Sequence, residues 1–161
     1  MIDFKEYKLG DICSRLSSGK GISSKEIKPT GEYPVYGGNG LRGYTDKSNF
    51  YGECAIIGRQ GAFCGNVRFF SGEAYMTEHA VIVCANKSNS TRYLSYLLST
   101  MGLGRLSGQS AQPGLSVKTL SQQSVMLPPL CQQNEIAATL AALDEKIENN
   151  SRINHHLEQM A

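Results

Sequence analysis

The chain has 161 residues, 40% of them hydrophobic and 19% charged, the proportions of a folded protein with one good core and an appendage. They exclude wholesale disorder, and no apolar run approaches the length of a bilayer crossing; Ala80-Val81-Ile82-Val83-Cys84-Ala85 is among the longest. The net charge of +2 is unevenly spread: residues 1–128 carry 14 Lys and Arg against 9 Asp and Glu, or +5, while residues 129–161 carry 2 against 5, or −3.

That split permits the body to bind nucleic acid and argues against the last segment lying along phosphates. The opening Met1-Ile2-Asp3-Phe4-Lys5-Glu6 lacks the basic-then-apolar order of a signal peptide, so a cytoplasmic location is expected. Five cysteines, at 13, 54, 64, 84 and 131, form no Cys-x-x-Cys pair and suit reduced thiols better than a disulfide framework. Of three histidines, two are the adjacent His155-His156, which is a poor zinc set; no metal or cofactor is expected.

In chain order, Tyr7-Lys8-Leu9 reads as a short strand entering a helical turn that Asp11 can cap. Ser17 to Lys25 reads as a polar, flexible loop. From Tyr33 the texture becomes short β-type runs cut by glycines. Tyr33-Pro34-Val35-Tyr36, Cys54-Ala55-Ile56-Ile57, Val67-Arg68-Phe69-Phe70 and Ala80-Val81-Ile82-Val83 are strand candidates, the last buried because it is continuously apolar. Gly37-Gly38-Asn39-Gly40 and Gly58-Arg59-Gln60-Gly61 are the intervening loops. Neither is a phosphate loop: the first lacks a Gly-Lys-Ser/Thr ending, and the second leads into a strand rather than a helix. Thr91 to Met101 is the one clear internal helix, capped by Asn89 or Ser90 and stopped at Gly102. Ser116 can cap a short helix over Val117 to Leu120, and Val125-Met126-Leu127 is a last strand.

After Pro128-Pro129 the period changes. Ile136, Leu140, Leu143 and Ile147 recur at helical spacing, and the same seam continues through Asn150, Asn154 and Leu157. With Pro129 at the first helical position, 32 residues extend about 48 Å, too long to lie on so small a body. A partner helix is therefore expected, with Asn150 and Asn154 setting register in a coiled coil. The expected class is α+β: a compact, irregular, mostly antiparallel β-rich domain over residues 1–128, then one long coiled-coil helix over 129–161.

The run Leu127-Pro128-Pro129-Leu130, Gln132-Gln133, Ile136, Leu140, Leu143-Asp144 and Lys146-Ile147 resembles the conserved-region helix of type I restriction–modification specificity subunits. Upstream, Pro34-x-Tyr36-Gly37-Gly38-Asn39-Gly40, Ile57-Gly58-Arg59-x-Gly61 and Gln112-Pro113-Gly114-Leu115-Ser116 look like that family's target-recognition domains. The resemblance implies a non-catalytic subunit that binds double-stranded DNA, reads one half of a bipartite site and docks methyltransferase and restriction subunits. Family members usually carry two recognition domains and two such helices; with one of each here, the chain looks like half a subunit. It would then pair as a homodimer through Ile136, Leu140, Leu143, Ile147, Asn150, Asn154 and Leu157.

For base reading, the useful loop side chains are Asn39, Arg42, Arg59, Gln60, Asn66, Gln109 and Gln112, since Arg suits guanine and Gln or Asn suits adenine. Lys20, Lys47, Lys118 and Tyr44 suit phosphates. Their concentration in glycine-rich loops favours binding as a group. The alternative from another class is a small Cys/His hydrolase or transferase with a dimerisation helix, built on Glu78-His79 with Cys64 or Cys84.

Overall fold

The computed structural model describes residues 3–107 and 114–160. Eight strands and three α-helices follow in the order β1 (Lys5–Lys8), β2 (Cys13–Ser18), β3 (Tyr33–Gly37), β4 (Gly40–Thr45), β5 (Phe50–Gly58), β6 (Val67–Met76), β7 (Ala80–Ala85), α1 (Thr91–Thr100), α2 (Val117–Ser121), β8 (Ser124–Leu127) and α3 (Leu130–Met160). Six strands form one sheet in the order β2-β7-β5-β6-β3-β4, and β1 pairs with β8 in a small second sheet. The pairing is antiparallel throughout except between β3 and β6. The expected class, a β-rich α+β domain followed by a long helix, is the observed one.

The sheet is strongly curled, and the register requires it. Ala74 on β6 pairs with Phe50, and Ala80 on β7 pairs with Gly58, at opposite ends of β5. Six residue steps from 74 to 80 reach at most about 22 Å. A flat β5 would separate those partners by about 26 Å. The bend brings the Thr77–His79 turn, the end of β5 and the tip of the β3–β4 hairpin to one place.

Alternation along the central strands fills two cores. Ala55, Ile57, Val81 and Val83 face Leu94 and Leu98 of α1, Leu120 of α2 and Ala137 of α3. Cys54, Ile56, Ala80 and Ile82 face the inside of the curl with Phe50 and Met76, where Tyr36 and Phe70 pack against them. Both faces of β7 are thus buried, which explains its unbroken apolar run.

Three boundaries differ from expectation. Cys13–Ser18, whose last two residues are expected as flexible loop, is a strand paired with β7, and its polar composition belongs to a sheet edge. β5 and β6 run longer than their apolar centres because Gly52 pairs with Gly72 and Glu53 with Ser71 in a solvent-facing extension. Pro129 is not the first helical residue: its carbonyl accepts from the N–H groups of Gln132 and Gln133 at 3.0 and 3.1 Å, and the helix starts at Leu130.

The start of α3 is fixed by Gln133, only 2% exposed. Its Nε2 donates to the Pro128 carbonyl and to Asn89 Oδ1, both at 2.9 Å, and its Oε1 accepts from the Ser90 N–H at 2.9 Å. Ser90 in turn caps α1 by accepting from the Tyr93 N–H. One amide therefore ties the beginnings of α1 and α3 together. Ala137 and Ala141 continue the buried stripe, and the Tyr96 hydroxyl donates to Asp144 at 2.5 Å. Beyond Ala141 every described residue of α3 is exposed.

Candidate nucleic-acid interface

The turn Thr77–His79 is the hub of a polar rim. Three segments are pinned to it through the backbone. The end of β2 arrives with Gly19 N–H donating to the Ala80 carbonyl and Lys20 N–H to the Met76 carbonyl, both at 3.0 Å. The end of β5 arrives with Arg59 N–H donating to the His79 carbonyl at 3.0 Å. The hairpin tip arrives at Gly38, where a Cβ would lie 2.8 Å from the His79 carbonyl oxygen and 3.1 Å from Gly58 Cα. Only glycine fits there. The Asn49 side chain steadies the same region by exchanging hydrogen bonds with both backbone groups of Met76, at 2.8 and 3.0 Å.

Side chains gather accordingly. Arg59 is half-buried, and its Nη1 donates to Ser18 Oγ at 3.3 Å. Gln60 is exposed, with Oε1 3.0 Å from His79 Nδ1, while His79 Nε2 lies 3.3 Å from Glu78 Oε1. Asn39 is exposed at the hairpin tip. Arg42 crosses Gly37, whose Cβ would lie 2.9 Å from Arg42 Cδ. Asn66 is joined to the rim by its carbonyl, which accepts from the Gly58 N–H at 2.9 Å. Lys20, Asn39, Arg42, Arg59, Gln60 and Asn66 are thus brought together.

The remaining expected residues are placed otherwise. Lys47 lies over the Tyr75 ring, and its ammonium pairs with Glu26 at 2.5 Å, so its charge is already matched. Tyr44 is half-buried in β4 and bridges Lys28 through the backbone. Lys118 is exposed on α2, a helix that packs on the Leu9–Ile12 turn and β2 rather than on the rim. Gln109 and Gln112 lie outside the described residues. Gly114, just after them, bridges Gln60, and the Leu115 N–H donates to the Arg59 carbonyl at 2.8 Å.

The sequence reading missed Arg68. It is exposed near the start of β6, and a Cβ on Gly40 would lie 3.2 Å from its guanidinium carbon. A cationic residue inside an apolar strand candidate was the available signal. Among the described residues, no carboxylate pairs with Lys20, Arg42, Arg59 or Arg68, so the rim presents unmatched positive charge.

The thiol chemistry of the alternative reading finds no geometry here. Both ring nitrogens of His79 face Gln60 and Glu78. Cys64 Sγ is directed at the Arg59 carbonyl, at 3.3 Å. Burial pushes the Cys84 thiol up, and burial with the neighbouring Cys84 pushes Cys13 and Cys54 up to about 12, away from the thiolate a nucleophile needs. Among the described residues, no group of three or more His, Cys, Asp or Glu is placed to hold a metal, and no helix is long and apolar enough to cross a membrane.

A second surface runs along α3. Of the expected seam, Ile136 packs against the core of its own domain and Leu140 is half-buried. Leu143, Ile147 and Leu157 are 52%, 64% and 57% exposed, and Asn150 and Asn154 are exposed with them. The first three turns of the helix thus belong to the domain, and the apolar seam beyond them is uncovered.

Comparison with known proteins places this arrangement among relatives. A family model described as "Type I restriction modification DNA specificity domain" matches residues 1–159. The specificity subunit of the type I restriction enzyme EcoprrI from Escherichia coli is 38% identical over 147 residues, which is 89% of this chain and 36% of that protein. A putative type I specificity subunit from Mycoplasma pneumoniae is 29% identical, over 89% of this chain and 49% of its own length. The chain therefore spans less than half of either relative. Among solved structures, the S subunit of a type I restriction–modification system from M. genitalium superimposes with a TM-score of 0.82 at 20% identity, covering 92% of this chain and 41% of that one. The HsdS subunit from Thermoanaerobacter tengcongensis gives 0.66 at 17% identity, covering 92% and 39%.

Proposed function

The chain belongs to the family of type I restriction–modification DNA specificity domains, and from that premise we propose that residues 1–128 read one half of a bipartite DNA site. The long helix, residues 129–161, then holds a second copy and the catalytic subunits. The observation that carries the reading is the rim: four cations, Lys20, Arg42, Arg59 and Arg68, with no carboxylate partner among the described residues, stand with the amides of Asn39, Gln60 and Asn66 on one glycine-shaped edge. Guanidinium and amide groups are those that reach base edges, and the ammonium of Lys20 suits phosphate. The protein itself is non-catalytic and acts in the cytoplasm, where methyltransferase and restriction subunits would join it.

The uncovered seam of α3 supports the second half of the proposal. Two helices packed antiparallel about a twofold axis would bury Leu143, Ile147 and Leu157 of each copy in an isologous contact, with Asn150 and Asn154 setting register. The recognition domains would then stand at opposite ends of the pair, so the target is a palindrome interrupted by unread base pairs.

Selection of the purified chain on a library of randomised DNA duplexes tests this reading. Enrichment of one interrupted palindrome is the expected result. Recovery of unrelated sequences, whose binding falls away as salt is raised, would reduce the rim to a general polyanion surface.

A further inference from the structure

We infer that Leu41 reads the 5-methyl group of one thymine in each half-site, an apolar contact set among the polar readers of the rim. The inference rests on the DNA reading above and deepens it, naming a base feature that neither a cation nor an amide can recognise.

The exposed apolar side chains single this residue out. Away from α3, the β1–β8 pair and the neighbouring Phe4, three large ones stand open to solvent among the described residues: Tyr51, Phe63 and Leu41. Tyr51 lies on the solvent-facing extension of β5, away from the rim. Phe63 and Leu41, 43% and 52% exposed, belong to the rim itself. Phe63 comes from the loop that closes on Gly58, where a Cβ would lie 2.3 Å from the Phe63 carbonyl oxygen.

Leu41 is the better placed of the two. It stands on β4 between Asn39 at the hairpin tip and Arg42, both expected to reach base edges. The strand is irregular at this point: Val35 pairs with Gly43 and Tyr36 with Leu41, so Arg42 is the extra residue of a bulge. Bulges re-aim side chains out of simple alternation, and Leu41 and Arg42 are both exposed here. Gly40, just before them, lies against the guanidinium of Arg68. Tyr36, the cross-strand partner of Leu41, has its ring 5.0 Å from that of Phe70. The apolar lining of the curl therefore reaches the rim at Leu41, and cations stand on either side of it.

The chemistry selects the base. In the major groove thymine shows a methyl group beside its O4 acceptor, and the other three bases show only polar atoms there. A leucine offers no hydrogen bond. A polar base edge pressed against it loses water without replacement, whereas a methyl group leaves water for an apolar neighbour.

The test uses the full chain on the duplex it selects, and on synthetic copies in which one thymine at a time becomes deoxyuridine. That change removes the methyl group and keeps every hydrogen-bonding atom. At one thymine per half-site, binding should weaken by about three- to fivefold, the worth of one methyl group transferred from water. Leu41→Ala should bind the thymine and deoxyuridine duplexes alike, and Leu41→Met should keep the difference. Leu41 lies outside both cores, so these replacements leave the fold intact. A deoxyuridine effect that persists in Leu41→Ala overturns the proposal, whether it comes from DNA stiffness or is abolished by Phe63→Ala instead. A selected site without thymine, or equal binding of every deoxyuridine copy by the native chain, overturns it too. Each of these results leaves the DNA reading standing. Failure to enrich any sequence sinks the DNA reading, and this proposal with it.

Discussion

At Gln133 an amide without access to solvent holds the carbonyl of Pro128, the side chain of Asn89 and the N–H of Ser90 at once. Replacing it with Ala strands those buried groups and opens a void. A loss of about 2–4 kcal/mol is expected from urea unfolding of Gln133→Ala, with the helical signal of α3 fraying first. Arg59 belongs to the same scale but to a different function. One of its N–H groups is engaged by Ser18. A guanidinium carries five, so four are left for a base edge. Arg59→Ala should relax base preference at one position per half-site by about 1–3 kcal/mol while leaving non-specific affinity nearly unchanged. Binding measured on the selected duplex and on its single-base variants checks this; equal loss on every duplex would make Arg59 a phosphate contact instead.

Among the elements, α3 divides at Ala141. Before it, Gln133, Ala137 and Ala141 face the domain; after it, Leu143 and Ile147 face solvent. Leu143→Asp with Ile147→Asp should therefore leave the melting temperature of the domain unchanged and convert a dimer to a monomer by light scattering at micromolar concentration. A dimer that survives the double change would place the contact elsewhere. The periodicity of Ile136, Leu140, Leu143 and Ile147 made the helix legible, but not its division, because Ala137 and Ala141 carry no strong apolar signal. The strand centres were legible for the opposite reason: Cys54–Ile57 and Ala80–Val83 bury both faces, so their apolar runs are unbroken. β2 was not, since Ser14, Ser17 and Ser18 look the same in an edge strand as in a loop. Most of the rim could be named from its glycine loops, yet its assembly could not. Joining Lys20 to Arg59 across the Thr77–His79 turn depends on the curl, and curl is set by strand register between segments far apart in sequence.

For the whole molecule, the proposed pairing of two copies would link fold to function through the separation of their rims. The 31 residues of α3 extend about 46 Å, so an antiparallel pair would carry its recognition domains toward opposite ends. Half-sites on one face of B-DNA recur every 34–36 Å or so, which is the spacing such a pair would address. The measurement that tests this most directly is a hydroxyl-radical footprint of the purified chain on its selected duplex. Two protected blocks, equal in length, related by a twofold axis and separated by about one helical turn, are the predicted result. A single continuous block without symmetry would contradict it.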